Sequence, residues 1–258
     1  MKNIKIAPYP NRQITQECID RDIIPNSVKP DGSKLNVVNF NTPNVLIAQF
    51  TDGAQRVIRT GPIVPVGNEK YFSVFPNPVH LYLDFSIKCF NDSETIKQTS
   101  FPVCAKKTNK KVDNAYLLDV DADETHNCYN EFFKLRMTSI IMLTTSVEAF
   151  INHSIPNDYP DKNNIERNGK FKDKLTTDLP QSLKLNDFWS DKDGLRCSLI
   201  NLNNLRNDLV HLKTNSDEDF NVYFNEINKM LKFNILKAIN DVITFMNLIT
   251  PDFIKKIE

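Results

Sequence analysis

The spacing of apolar residues changes along this chain of 258 residues, from an alternating pattern in the first half to a helical pattern after about residue 124. Strict alternation is typical of a half-buried strand, whereas apolar residues three and four apart are typical of an amphipathic helix. The change of period predicts an α+β protein. A small N-terminal antiparallel β domain is expected over residues 1–118, and a C-terminal helical bundle over 119–258.

The stretch 79–89 carries the clearest alternation, with apolar side chains at odd positions and His80, Asp84 and Lys88 among the even ones. It predicts a half-buried strand with His80 on the polar face. Segments rich in Pro, Gly, Asn and Asp separate it from shorter strand candidates, which is turn chemistry. These candidates are 34–40, 45–50, 55–60 and 70–75. The spacing indicates a small antiparallel sheet, sandwich or barrel, and this half contains no catalytic motif.

Helical periodicity in the second half predicts three long helices, which together form a bundle. They are expected at about 126–153, 193–213 and 218–249, with a shorter helix near 164–179. Trp189, in the polar connection between helices, is expected to be a packing anchor, although an exposed aromatic there could also stack on a base.

Composition narrows the classes of function. The chain has 32 basic and 32 acidic side chains, a balance that argues against coating long nucleic acid through bulk charge but leaves a local contact open. No apolar stretch reaches the length of a membrane span, so no membrane partner is expected. Five scattered cysteines without a C-x-x-C pair predict neither a disulfide framework nor a metal centre. We therefore expect a cytoplasmic protein with no metal and no cofactor.

Two charged segments lie between the halves. The run DVDADE (119–124) resembles the start of a calcium loop, but its sixth position is Glu124 where that loop needs glycine. Acidic residues at a helix N-terminus are the better interpretation. The lysines of 104–111 could contact phosphate, but a solvated linker is the more common role of such a run. They are Lys106, Lys107, Lys110 and Lys111.

An arginine and a histidine interrupt the leucine-rich helix predicted around NLRNDLVHLK (204–213). At about 100° per residue, Arg206 points into the apolar sector, whereas Asn207 and His211 share a polar flank roughly 100° and 140° away. A buried arginine needs a carboxylate partner. Glu148 lies at the edge of the apolar face of its own helix, so we expect an ion pair between Arg206 and Glu148.

The sequence Arg206-Asn207-x-x-x-His211 resembles the R-x(4–6)-H motif of the HEPN-domain family, which often reads R-N-x-x-x-H. Its place on a late helix, with S-V-E-A-F (146–150) on an earlier one, is similar to that family's layout. The resemblance covers about residues 120–258. It implies a metal-independent endoribonuclease of a toxin or antiviral defence type, whose two R-x(4–6)-H motifs meet in one cleft of a homodimer.

That resemblance and the chemistry of RNA assign roles to the candidate site. RNA carries its own nucleophile in the 2′-OH, so His211 is expected to act as general acid or base. Arg206 would stabilise charge on the phosphate or orient the site, and Asn207 would position the phosphate or His211. Glu148 is the supporting residue. If Glu148 holds Arg206 in the core, Arg206 either reaches phosphate from the rim of the site or only supports the helix.

Two other readings stay open. The helical domain could be a catalytically inactive HEPN-like scaffold, used for dimerisation or nucleotide binding in a defence or toxin–antitoxin complex. Alternatively, the chain could be an interaction protein with no HEPN relation. In the enzyme reading the β domain senses or positions a regulatory protein partner.

Overall fold

The computed structural model describes residues 4–7, 45–49, 55–59, 64–71, 76–116, 118, 124–211 and 217–257. Contacts between residues divide the chain into two compact units. One unit combines Met1–Ala7 with Pro78–Glu258, and the other is Pro8–Asn77. Besides Met1–Ala7, the unit that contains the helices takes in the chain from Pro78 onward, whereas the helical domain was expected from residue 119.

The described residues of the helical unit form seven helices. They are α1 (Pro78–Thr108), α2 (Glu124–Ser154), α3 (Lys162–Asn168), α4 (Phe171–Asp173, the π-helical turn Lys174–Asp178 and Leu179–Ser182), α5 (Asp193–Val210), α6 (Asp217–Lys232) and α7 (Ile235–Ile249). The helices predicted at 126–153 and 193–213 are confirmed as α2 and α5.

The long helices α1 and α2 form an antiparallel pair. Ser86 Oγ near the start of α1 donates to Ser139 O in the middle of α2 at 2.8 Å. The ring centroids of Phe101 and Phe132 lie 5.0 Å apart, further along α1 but earlier on α2. Contacts that advance on one helix while receding on the other define the antiparallel direction. The pair supplies much of the core on which the later helices pack.

The strand predicted at 79–89 is wrong, because this stretch is the start of α1. Val79, Leu83 and Ile87 are four residues apart and fully or almost fully buried, which is helical spacing. Leu81 and Phe85, which the strand would have buried with them, are 51% and 46% exposed. A run of apolar residues at every second position also contains apolar residues at every fourth position. The sequence 79–89 therefore fits both the period of a strand and that of a helix. Pro78 suits the first helical position because its φ is already helical, but a proline can also begin a strand, so it does not decide between the two.

The strands are short, and each described strand belongs to a two-stranded antiparallel pair. They are β1 (Lys5–Ile6), β2 (Val45–Gln49), β3 (Gln55–Arg59), β4 (Val64–Val66), β5 (Glu69–Tyr71), β6 (Lys111–Val112), β7 (Ala115–Tyr116) and β8 (Lys256–Ile257). The pairs are β1–β8, β2–β3, β4–β5 and β6–β7. Strands predicted at 45–50 and 55–60 are confirmed, whereas the one at 34–40 lies outside the described residues. The protein is thus mostly helical, with small antiparallel strand pairs.

The helix predicted over 218–249 is divided into α6 and α7. Asn234 stands between them, and its Oδ1 accepts a hydrogen bond from the backbone N–H of Lys237 at 3.0 Å. An asparagine cap of this kind satisfies an amide that the first turn of a helix would otherwise leave without a partner. The apolar pattern continues through the break because both helices bury a face against the same core.

Trp189 anchors the connection before α5, as predicted. Its Nε1 donates to Leu175 O at 3.2 Å, and its ring stacks on Phe245 of α7 at 5.9 Å between centroids. Leu175 O is available because Leu179 N–H bonds one residue further back, to Lys174 O, and Pro180 has no amide hydrogen. The π-helical turn therefore leaves a free carbonyl at Leu175, and the indole N–H of Trp189 donates to it.

Among the helices of the described residues, none combines the length and apolarity that crossing a membrane requires.

Candidate functional site

The site predicted from the sequence lies at the C-terminal end of α5. Four leucines of this helix are buried against the other helices and fix its orientation: Leu199, Leu202, Leu205 and Leu209. The helix ends at Val210, and His211 follows as its C-cap, with its backbone N–H donating to Asn207 O at 3.0 Å. Arg206, Asn207 and His211 thus occupy the last turn of α5 and its cap.

Arg206 and Asn207 contact each other directly. Nη1 of Arg206 donates to Oδ1 of Asn207 at 2.9 Å, and both residues are half-buried. His211 is exposed. Arg206 was expected to lie deep in the apolar face, but the structure leaves the residue half-buried, with Asn207 as the partner of its guanidinium. A guanidinium and an amide that contact each other can both donate hydrogen bonds to an anion, and His211 follows them at the cap of the same helix.

The predicted ion pair between Arg206 and Glu148 is not formed, although both residues lie in the described part of the chain. Glu148 Oε1 instead accepts from Lys174 Nζ at 3.1 Å. The same ammonium donates to Glu166 O at 2.8 Å, and the Lys174 side chain is only 1% exposed. The supporting carboxylate is therefore engaged by a lysine, and among the described residues no carboxylate pairs with the guanidinium of Arg206.

Positions along α2 explain why the predicted pair fails. Lys229 Nζ of α6 lies 3.6 Å from Asp208 in the last turn of α5, and one turn later Phe233 O accepts from Arg136 Nη2 at 3.3 Å. The end of α5 therefore lies near the level of Arg136. Glu148 is roughly three turns further along α2, or about 18 Å at 1.5 Å per residue. Helical-wheel angles, from which the pair was predicted, carry no information on this axial separation.

Lys174 is a residue that sequence reasoning missed, because it lies in a polar segment that looked exposed. Its stem passes beside Gly169, where an added Cβ would lie 3.0 Å from Lys174 Cε and 2.5 Å from Ile165 O. Glycine is required there to let the lysine reach Glu148. The position of Glu148 at the edge of an apolar face was the available signal, since a carboxylate there favours a cation as partner.

The second residue that sequence reasoning missed is the buried Arg136. Its Nη1 donates to Glu94 Oε1 at 2.9 Å, and the two side chains are 7% and 10% exposed. Burial lowers the pKa of Arg136, while the neighbouring Glu94 carboxylate opposes that shift. Its guanidinium carbon also lies 5.5 Å from the centroid of Phe132. The helical core does contain an arginine–carboxylate pair, but it joins α1 to α2 and includes no residue of the R-x(4–6)-H motif.

The prediction that His80 lies on a polar surface is wrong. Because 79–89 is helical, His80 falls on the buried side of α1, where its Nε2 lies 3.2 Å from Phe253 O. Burial lowers the pKa of His80 below its ordinary value of 6.5. His153 is exposed in the last turn of α2, the position predicted for it from the helix dipole. His211, like His153, is exposed, and it lies at the C-cap of α5 close in sequence to Arg206 and Asn207.

Within the described ranges, no group of three or more His, Cys, Asp or Glu residues is arranged to hold a metal ion. Comparison with known proteins finds no family model, curated protein or solved structure that matches the chain. The likeness to the HEPN family accordingly rests on the motif and its helical placement alone.

Proposed function

We propose that the helical unit is a metal-independent endoribonuclease of a toxin or antiviral defence type, acting through a cleft shared by two copies of the chain. The proposal rests on the hydrogen-bond partners of Arg206. Its guanidinium donates to Asn207, whereas Glu148 pairs with Lys174. An arginine held by a buried carboxylate could not also bind phosphate. Arg206 keeps donors available, one turn before an exposed histidine.

The proposed reaction uses the 2′-OH of RNA as nucleophile. The bond between 2′-O and phosphorus forms, the bond to the 5′-oxygen breaks, and the products are a 2′,3′-cyclic phosphate and a 5′-OH. One histidine takes the proton from the 2′-OH, and another gives a proton to the leaving 5′-oxygen. Arg206 stabilises the negative charge that grows on the phosphate oxygens, and Asn207 orients the guanidinium.

The need for two proton-transfer groups is the reason for proposing a dimer. Each chain contributes His211 from the end of α5, where it is exposed to a partner. Two copies related by a two-fold axis would place two histidines and two arginines in one cleft. A single copy offers only one His211, so the proposed site is incomplete without its partner.

The direct test is cleavage of single-stranded RNA in the presence of EDTA by the wild type and by His211→Ala. Loss of a general acid or base lowers a rate by about 10²–10⁴-fold, and we expect a loss in this range. His153→Ala is the matched control, because His153 is also an exposed histidine at the end of a long helix. It should cleave like the wild type.

Either of two results would refute the enzyme. Wild-type protein that does not cleave RNA would favour the inactive scaffold, and equal cleavage by His211→Ala would assign the activity to another site or a contaminant. Circular dichroism of both variants shows whether the fold is intact.

A mixing experiment tests the shared cleft separately. Equal amounts of wild type and His211→Ala are combined and left to exchange subunits, which makes about half of the dimers mixed and about a quarter of them wild type. Because the cleft needs His211 from both copies, mixed dimers should be inactive, and exchange should lower the activity of the mixture to about half of its value before exchange. If each chain acts with its own His211 alone, exchange leaves the activity unchanged. A strictly monomeric protein that cleaves RNA would also exclude the shared cleft.

A further inference from the structure

The lysines of 104–111 do not lie in a featureless linker. Lys106 and Lys107 occupy the last turn of α1, Lys110 follows the helix, and Lys111 begins β6. All four are exposed. Over residues 106–116 the sequence contains these four lysines and a single acidic residue, Asp113. The segment is a local basic surface on a chain whose formal net charge is zero.

Local backbone geometry gives this segment a definite shape. Asn109 ends α1 in the left-handed region with φ 45°, and its N–H donates to Ala105 O at 3.1 Å. Strand β6 then pairs with β7, with Val112 opposite Ala115. Asp113 begins the two-residue turn with φ 51°, a positive angle that such tight hairpin turns require. Residues 111–116 therefore form a short β-hairpin rather than a solvated coil.

The hairpin carries an aromatic ring that the fold does not bury. Lys111 lies directly opposite Tyr116, and its Nζ is 5.3 Å from the centroid of the ring. Tyr116 is nevertheless 59% exposed, and Val112 on the other side of the hairpin is 60% exposed. A large tyrosine usually contributes to stability by burying its ring. This ring is available to a partner.

Structural roles account for only part of the segment. Lys106 and Lys107 stabilise the C-terminal end of the α1 dipole. The contact between Lys111 and Tyr116 helps to hold a two-stranded hairpin that would be marginal by itself. Neither role needs Lys110. Neither explains why the hairpin exposes the apolar side chain of Val112 and the ring of Tyr116 beside a cluster of lysines.

We propose that the β6–β7 hairpin binds single-stranded RNA, with Lys110 and Lys111 on phosphates and Tyr116 stacked on a base. Lysines bind nucleic acid by neutralising phosphates and releasing counterions. Exposed aromatic rings bind unpaired bases through their faces, largely independently of sequence. An acidic protein would match the lysines but would make no comparable use of the ring. The inference rests on the proposed function for its choice of RNA, but binding does not require cleavage.

Binding is measured by fluorescence anisotropy of a labelled oligouridine on the full chain carrying His211→Ala, so that the probe stays intact. In this background the test variants are Lys110→Gln with Lys111→Gln, Tyr116→Ala and Tyr116→Phe. The matched control is Lys88→Gln with Lys134→Gln, which removes two exposed lysines from the middle of α1 and from α2. Circular dichroism verifies that each variant keeps its helices.

The expected results differ for the two chemistries. Tyr116→Ala should raise the Kd about 5- to 100-fold, in the range of one lost base–aromatic stack, and Tyr116→Phe should restore binding. Replacing both hairpin lysines should weaken binding and reduce the slope of log K against log salt by about 1.4, at roughly 0.7 per phosphate contact with a single strand. The control pair should leave the Kd and the slope unchanged.

Several outcomes would overturn the inference. One is an unchanged Kd for the hairpin variants, as for the control pair. This result is also expected if the acidic residues of 119–124 neutralise the lysines. Another is competition by polyglutamate as strong as that by unlabelled oligouridine, which would indicate an acidic protein partner. Wild-type cleavage is measured in parallel. Cleavage without hairpin-dependent binding refutes only the hairpin, and hairpin-dependent binding without cleavage refutes only the ribonuclease.

Discussion

Arg136 and Arg206 each lie on a helix with a buried apolar face, but their surroundings are opposite. The Arg136 side chain is 7% exposed and is bonded to a carboxylate on α1 and to a carbonyl before α7. Arg206 is half-buried and bonds to the neighbouring amide of Asn207 on its own helix. Arg136 therefore connects α2 to α1 and to the segment before α7. The hydrogen bond of Arg206 to Asn207 stays within α5.

The difference shows how burial separates a structural cation from a candidate functional one. A guanidinium that has lost its water must be matched by a carboxylate, and that match uses the donors a ligand would need. A guanidinium at the exposed end of a helix keeps its water and its remaining donors. The same substitution at each arginine, to methionine, keeps much of the aliphatic stem and removes the charge, so it measures this difference directly.

Arg136→Met should have the largest effect on stability. It leaves the buried Glu94 carboxylate with only the half-exposed Lys97, whose Nζ lies 3.3 Å from Glu94 Oε2. Removing one partner of a buried pair costs about 3–5 kcal/mol in the free energy of unfolding, and the remaining Lys97 places the expected loss at the lower end of that range. Urea denaturation followed by circular dichroism measures the change. Adding Glu94→Leu removes the stranded charge and should recover most of the loss. A cost below about 1 kcal/mol for Arg136→Met would show that Glu94 is hydrated and that the pair is not structural.

Arg206→Met should leave stability within about 1 kcal/mol of the wild type, because the side chain is half-exposed and no carboxylate is stranded. Its effect should fall on RNA cleavage, with a loss of about 10²–10³-fold, the size seen when one donor to a developing oxyanion is removed. Cleavage assays and urea denaturation on the same preparation separate the two effects. A variant that unfolds as easily as Arg136→Met would make Arg206 a structural residue.

Lys174→Met should lower the free energy of unfolding only slightly, although the Lys174 side chain is more deeply buried than that of Arg136. Its partner Glu148 has a side chain that is 43% exposed and can be hydrated when the ammonium is lost. The remaining cost is the donor to Glu166 O, about 1 kcal/mol.

Glu148→Ala tests the reverse direction. It strands the ammonium in the core and should cost more than Lys174→Met, about 2 kcal/mol. Urea denaturation of both variants gives the order of the two costs. The opposite order would mean that the lysine, rather than the glutamate, has access to water.

Much of the helical unit could be predicted from local pattern. The apolar stripe of α5 fixed its range, and Trp189 was correctly expected to pack. The strand at 79–89 failed because Val79, Leu83 and Ile87 fit a period of two and a helical period equally well, and only packing against α2 chooses between them. The break before α7 was missed for a related reason, since a single asparagine cap interrupts the backbone without interrupting the apolar pattern.

The candidate site shows the same division. The spacing of Arg206, Asn207 and His211 was sufficient to place all three on one helix. That helix was expected to continue to 213, whereas it ends at Val210 and His211 is its cap. The partner of Glu148 was not predictable, because an angle around a helix gives the direction of a side chain but not its height on the neighbouring helix. Lys174 and Glu94 are both distant in sequence from the residues they hold.

By itself, the sequence determined which segments have an apolar face, where α2, α5 and α7 end to within a few residues, and that a cation within the core needs a carboxylate. These are local properties, set by side-chain periodicity and by the cost of burying charge. Only the tertiary structure decided that 79–89 is helical, that Glu94 holds Arg136, that Lys174 holds Glu148, and that Arg206 is half-buried beside Asn207. Each of these depends on which helices meet and at what height, and the packing of the whole chain sets both.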